Sequence, residues 1–151
     1  MAVTVRRIQP GDEARWRQLW HGYARFYDTS VPEEVTGRVW SRILDPAASV
    51  FAIVAEDARG EVIGFANYLL HENTFHLTPG CYLEDLFVDS ACRAAGVGKA
   101  LIDWLVAEMH AQGWSRLYWH TNENNYRARG LYDKYGPHSG VVRYLIPNNQ
   151  R

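Results

Sequence analysis

The chain has almost no net charge, few cysteines and no long apolar run. Sixteen Lys and Arg stand against seventeen Asp and Glu, a formal charge of −1. That balance gives no overall attraction to nucleic acid or to an anionic membrane surface. Two cysteines, Cys81 and Cys92, make neither a disulfide framework nor a zinc site. The six histidines are scattered without ligand spacing, so no metal is expected, and they read as surface or internally bonded side chains. No stretch is long enough for a membrane span, and "MAVTVRRIQPGDEARW" lacks the apolar run of a signal peptide. The expectation is a soluble, cytoplasmic protein.

Aromatic residues, by contrast, are abundant: six Trp and nine Tyr help bring them to 13%. Such richness fits a packed core, an aromatic-lined cleft or a subunit interface. The 151 residues suit one domain, 1–151, able to bury about two thirds of the surface of its unfolded form.

Periodicity divides the chain into elements. Val3 to Ile8 alternates and predicts a strand. Pro10 and Gly11 break it, and Asp12 is placed to cap a helix on which Trp16, Leu19, Trp20, Tyr23, Phe26 and Tyr27 recur at helical spacing. A second helix is expected over Pro32 to Leu44, with Val35, Val39, Trp40, Ile43 and Leu44 as its apolar side. "SVFAIVAED" and "EVIGFANYLL", joined by "DARG", predict a hairpin. "CYLEDLFVD" reads as a strand and the stretch after Gly96 as a helix that stops at Gly113. "SRLYWHT" reads as a strand, "NNYRARGLYDKYG" as a short helix and "GVVRYLIP" as a final strand. The expected fold class is α/β, a mixed central sheet with helices on both faces.

Three local patterns carry chemistry. In Arg93-Ala94-Ala95-Gly96-Val97-Gly98-Lys99, small residues open a helix after a strand. Backbone N–H groups there can approach an anion, aided by the helix dipole and by the charges of Arg93 and Lys99. No Ser or Thr follows Lys99 and a third glycine is missing, so neither a P-loop nor a dinucleotide fingerprint is present. A plain tight turn explains the glycines about as well. Next, Asn125, Ala128 and Tyr132 share one side of a short helix. The Asn can bond an extended ligand and the Tyr can present a phenol, although a capped helix with a core Tyr has the same pattern. Finally, Glu84 and Asp85 interrupt an apolar strand. Adjacent strand residues point to opposite faces, so at least one acid is expected in apolar surroundings that raise its pKa toward the range of a general base.

Together these patterns resemble the GCN5-related N-acetyltransferase (GNAT) superfamily. Its acetyl-CoA pattern [Q/R]-x-x-G-x-[G/A] is matched by Arg93, Gly96 and Gly98, and its later N-x-x-A-x-x-x-Y pattern by Asn125, Ala128 and Tyr132. "GYARFYDTSVPEEV", "YLEDLFVD" and "VVRYLIP" are similar to the yeast histone, polyamine and D-amino-acid acetyltransferase group. The Leu-Glu-Asp strand is shared with spermidine/diamine acetyltransferases.

The resemblance implies a GNAT-like acyl-CoA fold in which pantetheine inserts where two parallel strands part. It implies backbone contacts from Leu86, Phe87 and Val88 to pantetheine, and from Arg93, Ala94, Ala95, Gly96, Val97, Gly98 and Lys99 to the pyrophosphate of coenzyme A. Asn125 would bond the pantetheine or the acceptor side. The implied activity is transfer of acetyl from acetyl-CoA to a primary amine (small amine, polyamine, amino acid or lysine side chain) by direct attack. Glu84 would act as general base, with Asp85 as its rival, and Tyr132 as proton donor to the departing thiolate.

Tyr23, Tyr27, Asp85 and Tyr144 are the expected acceptor contacts, with Glu33 and Glu34 nearby; aromatics and acids suit a cationic amine. Arg143 beside Tyr144 would instead favour a carboxylate. The last strand implies a homodimer, since it joins subunit contacts in relatives. A non-catalytic acyl-CoA sensor on the same fold is the alternative.

Overall fold

The computed structural model describes residues 2–149, the side chains of residues 93–95 excepted. The chain forms two compact units with their boundary after His120.

In the first unit, β1 (Thr4–Arg7), β2 (Val50–Glu56), β3 (Val62–His71), β4 (Gly80–Val88) and β5 (Arg116–Tyr118) form one sheet in the order β1-β2-β3-β4-β5. The first four strands run antiparallel and β5 lies parallel to β4, as the alternation and the intervening helix lead one to expect. The β2–β3 hairpin closes on Asp57, whose carboxylate accepts the N–H groups of Arg59 and Glu61 at 2.9 and 3.0 Å.

Helix α1 (Glu13–Phe26) and helix α2 (Glu33–Leu44) follow β1, and α3 (Val97–Gln112) joins β4 to β5. Trp16, Leu19, Trp20 and Ala24 are buried along one side of α1, at the predicted helical spacing. Trp16 stacks on Trp20 at 5.4 Å and touches Trp40 of α2 and Phe65 of β3, at 5.3 and 6.2 Å. This aromatic wedge is the core of one face. On the other, Val97, Leu101, Ile102 and Leu105 of α3 are buried, and Tyr68 of β3 packs against Trp114 at 5.8 Å. Helix α3 ends at Gly113, whose N–H bonds back to the carbonyl of Met109.

Several expectations are corrected. Asp12 precedes α1, but its carboxylate is held by Arg6 at 2.8 and 3.0 Å and by the Gln9 N–H at 2.7 Å, so it makes no side-chain cap. On α2, Val35 and Leu44 are exposed whereas Thr36 is buried. The reason is a hydrogen bond: Trp20 donates its indole N–H to the Thr36 hydroxyl at 3.1 Å, and a buried indole needs such a partner.

In the second unit, α4 (Tyr126–Tyr132) is the expected short helix. The predicted last strand does not form: residues 137–149 carry no helix or strand, and Val141, Val142, Tyr144, Leu145 and Ile146 are 70–95% exposed. Apolar alternation gives a segment the capacity for a strand, but a strand exists only where another edge takes its backbone groups.

Candidate active site

The acids of β4 sit at an irregularity that the sequence did not reveal. Asn67 of β3 faces Asp85, yet the next residue, Tyr68, faces Leu83. Glu84 is therefore an extra residue, a β-bulge, and simple alternation fails there. The bulge removes the strict alternation on which the opposite-face expectation for these two acids rests.

Glu84 is exposed, whereas Asp85 is partly covered. Asn67 donates its Nδ2 to Asp85 Oδ2 at 3.1 Å. Burial pushes the Asp85 carboxyl above its ordinary value, opposed by the hydrogen bond from Asn67 and by the nearby Tyr23 phenol. Glu84 is raised too, first by desolvation and then by the neighbouring Asp85 charge. The Tyr23 phenol is pushed far up, chiefly by burial and then by Asp85. Tyr27 is also raised, by burial and then by Asp85. The rings of Tyr23 and Tyr27 meet at 5.0 Å, and Tyr23 lies 6.1 Å from Phe87. Thus the fold gathers Tyr23, Tyr27, Glu84, Asp85 and Phe87 into one aromatic, anionic corner.

Beyond this corner β4 and β5 part. Their parallel pairing covers Gly80–Tyr82 against Arg116–Tyr118; β5 then ends, while β4 continues through Leu86 and Phe87 to Val88. From Leu83 onward β4 therefore has no pairing with β5.

At the end of β4 the chain turns through a 3₁₀ segment, Ser90–Ala95, into α3. Asp89 caps this segment by accepting the Ala91 N–H at 3.1 Å, and Arg15 of α1 grips Asp89 at 2.8 Å. The same guanidinium donates to the Val62 carbonyl at 2.8 Å. Arg15 therefore ties the turn to the sheet, a role that sequence spacing alone did not expose. Gly96 has φ of 74°, the left-handed region, where a Cβ would be strained. It swings the chain so that the first turn of α3, with Val97, Gly98 and Lys99, begins directly after it. Helix first turns point backbone N–H groups outward with a partial positive charge, a disposition that fits a phosphate. Lys99 is ion-paired with Asp103 at 2.6 Å on the helix surface. Arg93, Ala94 and Ala95, also expected at the pyrophosphate, have side chains outside the described part of the structure.

Asn125, Tyr132 and Tyr144 belong to the second unit. Asn125 caps α4, its Oδ1 accepting the Ala128 N–H at 3.3 Å. Tyr132 closes the same helix, and Tyr144 is 92% exposed. Cys81 has the character of a packing residue: it is fully buried, and burial pushes its thiol up to about 12, the opposite of what a nucleophile needs. Among the described residues no helix is long and apolar enough to cross a membrane, and no His, Cys, Asp and Glu group is placed to hold a metal ion.

Residues 15–136 match the acetyltransferase (GNAT) family. The chain is 35% identical over 143 residues to the D-amino-acid N-acetyltransferase HPA3 of Saccharomyces cerevisiae, covering 94% of this chain and 89% of that protein. It is 32% identical over 118 residues to an aminoglycoside N(6')-acetyltransferase type 1 of Stenotrophomonas maltophilia, covering 76% and 69% respectively. Its fold matches a solved aminoglycoside acetyltransferase from an uncultured soil metagenomic sample, with a TM-score of 0.80 at 18% identity, over 96% of this chain and 95% of the other. The chain belongs to the acetyltransferase (GNAT) family: it is an N-acetyltransferase.

Proposed function

We propose that the enzyme moves the acetyl group of acetyl-CoA onto a primary amine by direct attack, with the acceptor held at the Glu84–Asp85 bulge. The observation supporting this reading is the β4 bulge, which sets Glu84 and the Asn67-bonded Asp85 just beyond the last residues paired with β5.

When bound, acetyl-CoA supplies an activated thioester. Leu86, Phe87 and Val88 on the diverging part of β4 would line its pantetheine, and the Gly96–Lys99 turn its pyrophosphate. An alkylammonium has a pKa of about 10 and must lose a proton before it can attack. Asp85, with Tyr23 and Tyr27, attracts the ammonium by charge and ring-face contact. Glu84, exposed at the bulge, takes the proton directly or through water. Tyr132 holds a phenolic proton for the departing sulfur. The acceptor class includes amino acids and aminoglycosides, on which the relatives act by name.

The family match crosses the boundary between the two units, which supports one catalytic domain over 1–151. Exposed apolar residues from Val141 to Ile146 support a homodimer in which a second copy covers them. Two free thiols, Cys81 and Cys92, suit the reducing cytoplasm.

The test is thiol release from acetyl-CoA with a panel of polyamines, lysine peptides, L- and D-amino acids and aminoglycosides. Turnover with at least one amine is expected, and Glu84→Gln should lower kcat by about 10²–10⁴. Binding of coenzyme A without thiol release from any acceptor would instead favour a sensor.

A further inference from the structure

One buried polar chain lies behind the acids and is not explained by packing. Asn67 is 2% exposed in the middle of β3, between Ala66 and Tyr68, both also buried. A buried amide is costly unless its donors and acceptor are satisfied. Trp16, itself fully buried, donates its indole N–H to Asn67 Oδ1 at 3.4 Å. Asn67 in turn donates Nδ2 to Asp85 Oδ2 at 3.1 Å. An indole N–H can only donate and a carboxylate only accepts, so these two partners fix which end of the amide faces which.

An apolar residue of similar size would fill this place in β3 without any polar cost. Asn67 is also the last residue in register before the bulge that brings Glu84 and Asp85 together. We propose that Asn67, oriented by Trp16, is a positioning residue that holds the Asp85 carboxylate toward the ammonium of the acceptor amine. The proposal rests on the reading of Asp85 as an acceptor contact. The core wedge and the acceptor site then share one hydrogen-bonded line, Trp16 to Asn67 to Asp85, and acceptor binding is set from inside the core.

The experiment is a double-mutant cycle on the full chain. Asn67→Leu keeps the approximate volume and removes the donor. It should raise KM for the acceptor about tenfold or more, the loss expected for a hydrogen bond to a charged group. KM for acetyl-CoA should stay unchanged, and kcat should fall far less than KM for the acceptor rises. In an Asp85→Asn background the same substitution should change acceptor KM by less than about twofold, because the group it acts through has lost its charge. A general structural role would lower kcat and both KM terms alike, and would add the same factor in either background; that result overturns the proposal. So does an unchanged acceptor KM in Asn67→Leu. Should the Leu variant fail to fold, Asn67→Ser, too short to reach Asp85, gives the same comparison. Absence of thiol release by the wild-type enzyme with every amine would overturn the proposed function and this inference together, whereas wild-type turnover with an unaffected Asn67→Leu overturns the inference alone.

Discussion

Val62–Tyr68 and Val141–Ile146 are two short apolar stretches, rich in residues that favour strands, and the molecule treats them oppositely. In the first, Phe65 and Ala66 are fully buried and Ile63 and Tyr68 nearly so; in the second, Val142 is 73% and Ile146 95% exposed. The first has β2 on one side and β4 on the other, with helices over both faces. The second stands outside any strand among the described residues. Side-chain character is common to both; backbone partners and a covering layer are not. A stretch becomes core when the chain supplies both.

The strongest way to break this contrast is to cut into the wedge that covers β3. Trp16→Ala should cost about 3–5 kcal/mol of unfolding free energy, read by urea denaturation, because the site is fully enclosed. A loss below about 1 kcal/mol would mean that the wedge is not what holds the sheet.

Asp85 sharpens the contrast with a charge. Burial, against the bond from Asn67, raises its pKa. A carboxyl raised on folding contributes stability below its unfolded value, near 3.8, that is lost as pH rises through the folded value. Asp85→Asn should therefore be more stable than wild type at neutral pH, and the two should converge in acid where Asp85 is protonated. In the same variant the acid limb of the kcat profile should move to lower pH, because Glu84 loses a neighbouring negative charge while its desolvation persists. An unmoved limb would separate Glu84 from the titrating base.

The tail should be nearly indifferent to polarity in the dilute monomer. Leu145→Ser should change stability by less than about 0.5 kcal/mol, as for an exposed position. Sedimentation at rising concentration is the sharper measurement: the wild type should associate and the variant should do so less. Equal behaviour would leave this segment without a role in subunit contact. The smallest effect concerns the thiols. Cys92 should react with a maleimide well before Cys81, which is fully enclosed and has a raised pKa.

Much of the fold was legible in the residues. Alternation marked β1, apolar runs around the DARG turn marked β2 and β3, an apolar run with two acids marked β4, helical spacing marked α1 to α3, and Gly113 marked the stop of α3. The acids of β4, the glycine turn and the aromatic side of α1 were all legible as candidates, because charge in an apolar strand and small residues before a helix are local patterns. Thr36 and Asn67 were not legible, since their meaning comes from Trp20 and Trp16, 16 and 51 residues away. Arg15 escaped notice for the same reason, its partner Asp89 being 74 residues on.

Periodicity and motif spacing are properties of neighbouring residues, and they were enough for β1 to β5, the four helices, the family and the residue types offered to an amine. The register and the packing across the sheet were needed to make Glu84 the extra residue of a bulge, to bond Asp85 to Asn67, and to carry β4 on where β5 stops. Register, strand divergence and burial depend on what lies across the sheet and above it, and a linear pattern carries no record of which distant residue will be there.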